Sequence, residues 1–258
     1  MKKLLSLTLV LTLLVTGICA LASCEAVTAA SAIKKADEAL LAAPYVMTMS
    51  MDFECDNAEM NAVFDALSME IPVTVDGDNL SMNMSVEAVP GMTASVAMTV
   101  VDKVLYYNMS VAGQTVKMKA TMTEEQYADF QKDNQAEMPV DPGQFENLTL
   151  EKVDGKHVVT CEGITEEGRA ALNEILGEAT GSIDAEATID SLSYVVTIAD
   201  DKYESMALSV AYSFTVAGET FTTTMTMNAK FAYTDVAPIT APADADSYTE
   251  ADINDLLG

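Results

Sequence analysis

Tyr45-Val46-Met47-Thr48-Met49-Ser50-Met51-Asp52-Phe53-Glu54-Cys55 places six apolar residues at six alternate positions, and four of the five residues between them are polar. Only an extended chain sends successive side chains to opposite sides, so this period of two predicts a strand with one buried and one wet face. The same alternation returns downstream. Leu80, Met82, Met84 and Val86 share one phase, as do Ala94, Val96, Met98 and Val100, then Leu105, Tyr107, Met109 and Val111, then Val116, Met118, Ala120 and Met122. Turn residues at Pro90-Gly91, Asp102-Lys103 and Ala112-Gly113 join them into a meander. A second set follows: Phe145–Lys152 and His157–Glu162 as a hairpin about Asp154-Gly155, then long strands over Ala187–Ala199, Ser205–Val216 and Glu219–Tyr233.

Short helical patterns interrupt the strands. Ile33, Ala36, Leu40 and Leu41 form a stripe over Ser31–Leu41, which stops before Pro44. Met60, Val63, Phe64 and Leu67 follow the i, i+3, i+4, i+7 rule over Asn57–Met69. Thr123-Glu124-Glu125-Gln126 has the form of a capping box and opens a helix to about Glu137. Pro139–Gly143 is a link between the halves, Thr165–Leu176 is a helix ended by Gly177, and Glu250–Leu257 is a helical turn. The fold class is therefore α+β: one large antiparallel sheet of about 9–11 strands, whose apolar side a few short helices must cover. Ser110–Thr115 resembles Thr215–Thr220, which shared hairpin chemistry explains better than an internal duplication.

The chain opens Met1-Lys2-Lys3, followed by an uncharged apolar run to Ser23, the form of an export signal. Leu21-Ala22-Ser23-Cys24 resembles the lipobox of bacterial lipoproteins, which implies cleavage before Cys24 and acylation of its thiol. The expected organisation is a signal peptide at 1–23, a lipidated N-terminus and short tether at 24–30, one domain at 31–245 and an acidic tail or short helix at 246–258. The expected location is exported and lipid-anchored to the cell membrane, facing the extracytoplasmic side.

Of 258 residues, 40 are Asp or Glu and 13 are Lys or Arg, for a net charge of −27. Losing Lys2 and Lys3 with the signal takes it to −29. Such a polyanion gains no counterion release from nucleic acid and is repelled by an anionic bilayer surface. Half the residues are apolar, enough for a full core. The single imidazole, His157, follows the Asp154-Gly155-Lys156 turn with no second His, nucleophile motif or phosphate loop nearby, so the residues point to no enzyme, cofactor or metal centre. The acidic runs Asp76–Asn79 and Asp244–Asp255 have the charge to hold Ca²⁺, but the second lacks the Gly of an EF-hand turn and has Tyr248 where a ligand is wanted, and both read better as solvated acids. Cys55 and Cys161 both fall on the apolar phase of strands, which leaves open a disulfide between them or two buried free thiols.

The apolar phase is filled by methionine where strands ordinarily use Val and Ile. Met is unbranched and adaptable, and is over-used where a surface must fit varied apolar shapes. Met49, Met51, Met82, Met84, Met98, Met109, Met118, Met225 and Met227 are the candidate lining of an apolar ligand cavity. The alternative is core filling.

Several features together resemble the LolA-like superfamily of bacterial lipoproteins, including the LppX/LprG-type lipid-binding members. They are the lipobox, the short linker and helix, the Met-rich strand Tyr45–Cys55, and the meander with Tyr106-Tyr107 before a Gly turn and Lys117-Met118-Lys119 after it. The ending Pro238…Ala241-Pro242-Ala243-Asp244-Ala245 completes the pattern. The helix over 57–69 and the lack of any Trp, expected near Val116, depart from it. The resemblance implies a strongly curved antiparallel half-barrel, with helices covering its concave face and acyl chains held in the hollow. The implied function is a membrane-anchored, non-enzymatic lipoprotein that binds or carries a lipid or other apolar molecule. The alternative is a structural or interaction lipoprotein with a solid core and an acidic outer face.

Overall fold

The computed structural model describes residues 24–58, 61, 69–89, 92–134, 145–170, 186–216 and 219–257. The export signal, most of the helix expected over 57–69, the 139–143 link and the second half of the helix expected over 165–176 lie outside the described residues.

One curved, unclosed sheet of twelve strands dominates, in the order β12-β6-β5-β4-β3-β2-β1-β11-β10-β9-β8-β7. The strands are β1 Tyr45–Cys55, β2 Met69–Asp76, β3 Asn79–Val89, β4 Met92–Val101, β5 Val104–Val111, β6 Gln114–Thr121, β7 Asn147–Val153, β8 Lys156–Glu162, β9 Glu186–Ala199, β10 Lys202–Val216, β11 Glu219–Ala232 and β12 Thr249–Glu250. The chain enters mid-sheet at β1 and meanders outward to β6. It resumes at the opposite edge with β7 and meanders back until β11 lies antiparallel to β1. The sheet is antiparallel throughout except at β12, which runs parallel to β6.

Two strands escape the sequence pattern. β2 begins at Met69, where a helix was expected to end. Its Met69, Ile71, Val73 and Val75 do alternate, but Pro72 argues against a strand because it has no N–H for a ladder. The structure accommodates Pro72 at the point where the ladder to β3 stops: that ladder covers only Val73–Asp76 against Asn79–Met82. β12 has two residues, too few to show any period.

The helices are α1 Cys24–Ala42, α2 Glu124–Asn134 and α3 Ile253–Leu257. α1 starts at Cys24, seven residues before the start at Ser31 that the apolar stripe predicts, so residues 24–30 are helical. It lies across β7, β9 and β10, burying Ala29, Ala32, Ile33, Ala36 and Leu40, while Leu41, expected on that stripe, is exposed. The capping box before α2 forms reciprocally: Gln126 N donates to Thr123 Oγ1 at 3.2 Å, and Thr123 N to Gln126 Oε1 at 2.9 Å. Thr165 caps a helical turn at 166–170, its Oγ1 accepting from Gly168 N at 3.2 Å. Asp154 and Gly155, at φ of 50° and 84°, make the β7–β8 hairpin turn.

Among the described residues the core comes as two clusters on one face of the sheet. The first joins α1 to β1 and β8–β11 through residues such as Val159, Tyr194, Val196, Leu208 and Met225. The second joins β4–β6 to α2 and α3 through Val100, Leu105, Ala120, Tyr127, Phe130, Ile253 and Leu256. Tyr127 also donates to the Asp78 carbonyl at 2.7 Å, tying α2 to the β2–β3 turn.

Candidate functional site

Residues directly opposite in an antiparallel ladder share a face, so register turns the methionine pattern into rows. Phe231, Met47, Val73, Met82, Met98, Tyr107 and Met118 lie opposite one another in succession across seven strands. A second row runs Met84, Val96, Met109, Val116, and a third Met69, Met51, Met227, Leu208, Tyr194, Cys161, Leu148. All nine candidate methionines therefore project from the face that carries both core clusters.

Their surroundings differ. Met51 and Met225 are 6% and 5% exposed inside the first cluster, and Met227 packs against it. Met98 and Met118 pack against the second cluster. Met49, Met82, Met84 and Met109 are half-buried and, among the described residues, belong to neither. They stand on β1, β3 and β5: Met49 lies between Ile71 and Ala229, Met82 between Val73 and Met98, and Met84 and Met109 lie four residues along their strands from Leu80 and Leu105. Among the described residues, β2 and β3 part beyond Val73 and Met82, and Met84 is the first apolar side chain of β3 past the parting. The Tyr107 hydroxyl donates to Met109 Sδ at 3.7 Å, fixing one methionine of this stretch.

Further polar atoms interrupt the apolar face toward both ends of β10 and β11. Cys55, Thr223, Tyr212 and Ile189 form one row. Thr223 is fully buried, and among the described residues its Oγ1 has no hydrogen-bond partner, a costly state for a hydroxyl. Burial pushes Tyr212 up to about 12. At the other end of the strands, Tyr45, Tyr203, Phe231 and Tyr233 make an aromatic corner with ring centroids 5.8–6.2 Å apart. Tyr203 donates to Asp37 Oδ1 at 2.6 Å, which clamps α1 to β10. Burial, with the Asp37 charge second, drives the Tyr203 hydroxyl far above its ordinary range.

The cysteines are not joined. Cys55 is on β1 and Cys161 on β8, four strand intervals apart, or about 19 Å along the sheet, whereas a disulfide needs Cα atoms within about 7 Å. Both are buried free thiols, and burial pushes Cys161 up to about 12, far from nucleophilic. His157 lies opposite Lys152 and Ile198. Among the described residues no three His, Cys, Asp or Glu side chains are placed to hold a metal ion. Among them, too, no helix is long and apolar enough to cross a membrane.

At the β6 edge, the C-terminal segment lies against the strand and leaves an open groove of about 590 Å³ lined by Thr115, Val116, Lys117, Met118, Ser247 and Thr249. Lys117 pairs with Asp244 and sits 5.7 Å from the Tyr248 ring, which meets Tyr106 edge-on at 5.4 Å. Sequence reading singled out Met118 in this groove but neither Tyr248 nor the Lys117–Asp244 pair, whose 127-residue separation carries no local signal. Thr223 alternates with Phe221, Met225, Met227 and Ala229 in the sequence, but its hydroxyl chemistry gave it no role there.

A family model covers residues 25–249, that of a family of unknown function, DUF6612. No curated protein matches the chain.

Proposed function

We infer, for a chain that belongs to the DUF6612 family, a membrane-anchored extracytoplasmic lipoprotein that binds or carries a lipid or other apolar ligand on its methionine face. The observation that carries this reading is the half-buried set Met49, Met82, Met84 and Met109, on the face that carries both packed clusters and, among the described residues, included in neither. Methionine side chains adapt to varied apolar shapes, and an apolar ligand laid against these half-buried ones would complete their packing. Thr223 Oγ1 is a buried polar atom in want of a partner on that face. In this reading the sheet is a LolA-like half-barrel, its concave side is the methionine face, and the protein does no chemistry of its own. Cys24, at the first residue of α1, carries the lipid anchor.

A structural or interaction role with a solid core is favoured by Met51 and Met225, which are packed. One measurement separates the two. The domain from Glu25 onward is purified without detergent and its organic extract analysed by mass spectrometry. Stoichiometric lipid in the parent, lost in Met84→Gln/Met109→Gln, is the expected result. An extract without lipid, together with no uptake of a fluorescent fatty acid, refutes the carrier reading.

A further inference from the structure

In a chain with 40 acidic residues, the span Lys103–Thr123 contains none and carries Lys103, Lys117 and Lys119. This span is β5 and β6, so this wing of the sheet presents lysines and no carboxylate of its own to an acidic segment. The chain's own C-terminal segment lies there, with Asp244, Asp246, Glu250, Asp252 and Asp255 within twelve residues. It grips the edge from both sides. On the wet face, Lys117 pairs with Asp244, Lys119 with Glu250 at 3.4 Å, and Tyr248 packs on Tyr106. On the apolar face, Ile253 and Leu256 enter the second cluster. Between them β12 adds to β6 in parallel, and Ala251 N donates to the Lys119 carbonyl at 2.9 Å.

The grip is shallow for its length. Only Thr249 and Glu250 pair with β6, opposite Met118 and Lys119. Ahead of them the segment turns away in a one-turn 3-10 helix at Ala245–Ser247, and the groove opens beside Thr115–Lys117 with Val116 43% exposed. Most of the β6 edge is thus covered by charge and side chains, with a strand pairing of two residues. Edge strands accept extended segments through main-chain hydrogen bonds, with side-chain pockets setting the choice.

We propose that the β6 edge from Thr115 to Lys119 is a docking site for an extended acidic segment of another protein, and that residues 244–251 are its resident, displaceable occupant. Lys117 and Lys119 select acidic partners, the groove takes an apolar side chain against Val116 and Met118, and the resident segment keeps the edge closed until a longer-pairing partner replaces it. The site is independent of the methionine face, so it stands or falls apart from lipid binding.

The test uses the full chain and a fluorescein-labelled peptide copying residues 243–257. Ile253→Asp, which detaches the segment from the apolar face, is expected to bind the peptide at least tenfold more tightly than the parent. That binding is expected to weaken with added salt and to vanish when Lys117→Glu and Lys119→Glu are added. Equal binding by parent and variant, or equal binding of a peptide with its acids changed to Gln, overturns the proposal. Hydrogen exchange of the unaltered chain covers the case in which Ile253→Asp fails to fold. Exchange of the Ala251 amide through a local opening, faster than the β10 amides, is expected; exchange only with global unfolding overturns the proposal. A concentration-dependent dimer of the parent would make the occupant a second copy's tail and would overturn the assignment to a different partner.

Discussion

Met225→Ala and Met84→Ala remove the same atoms from the same face of the sheet, yet they should cost different amounts. Met225 is 5% exposed, opposite Phe53 and Val210 within the first cluster. Truncation there forfeits a whole buried side chain and leaves a cavity that neighbouring strands cannot close, at about 3 kcal/mol within the usual range of about 2–5. Met84 is half-buried and in neither cluster. It forfeits about half the transfer energy of a fully buried Met, about 1 kcal/mol. For a domain of this size the corresponding drops in melting temperature are about 6–12 °C and about 2–4 °C. Urea unfolding of the two variants and the parent, all delipidated, measures the difference. Equal costs would mean that Met84 is packed as tightly as Met225, and the argument for an unfilled stretch of the methionine face would fail.

Other consequences follow from the same geometry. In denaturant the domain from Glu25 onward should show two reactive thiols and, when native, almost none to an aromatic disulfide reagent; dithiothreitol should leave its melting temperature unchanged. Tyr45, Tyr212 and Tyr233 are each pushed up to about 12 by burial, while the unfolded chain ionises near pH 10. Raised folded values mean that this stability is intact below about pH 10 and lost as pH rises toward about 12, so urea midpoints should be flat to pH 10 and then fall. Thr123→Ala removes the acceptor of the Gln126 N–H and should cost about 1 kcal/mol in the same urea assay, while Thr123→Ser should cost almost nothing. Cys24→Ala should move the full-length protein from the membrane fraction to the soluble one, without change in the circular dichroism of the purified domain.

The sequence by itself determined what depends on neighbours close in the chain. A period of two over Tyr45–Cys55 allows only an extended segment with one apolar face, and the structure has β1 on those residues. The capping box at Thr123 and the Asp154-Gly155 turn are equally local, because a hydroxyl three residues from an amide and a left-handed turn need nothing from elsewhere. The Ser110–Thr115 and Thr215–Thr220 likeness resolves in the same terms: each places a hydroxyl pair across the hairpin, at 3.4 and 3.0 Å.

Tertiary structure decided what depends on which strands become neighbours. Pro72 hides β2 in any local reading, and only the early end of the β3 ladder makes room for it. Cys55 and Cys161 share a phase, but strand order puts three strands between theirs. The nine methionines are alike in sequence, and it is the position of α1 over one wing and of α2 and α3 over the other that packs some and leaves others half-buried. The C-terminal grip on β6 joins residues more than a hundred apart. Its energy exists only once the sheet has an edge, so no window of the chain announces it.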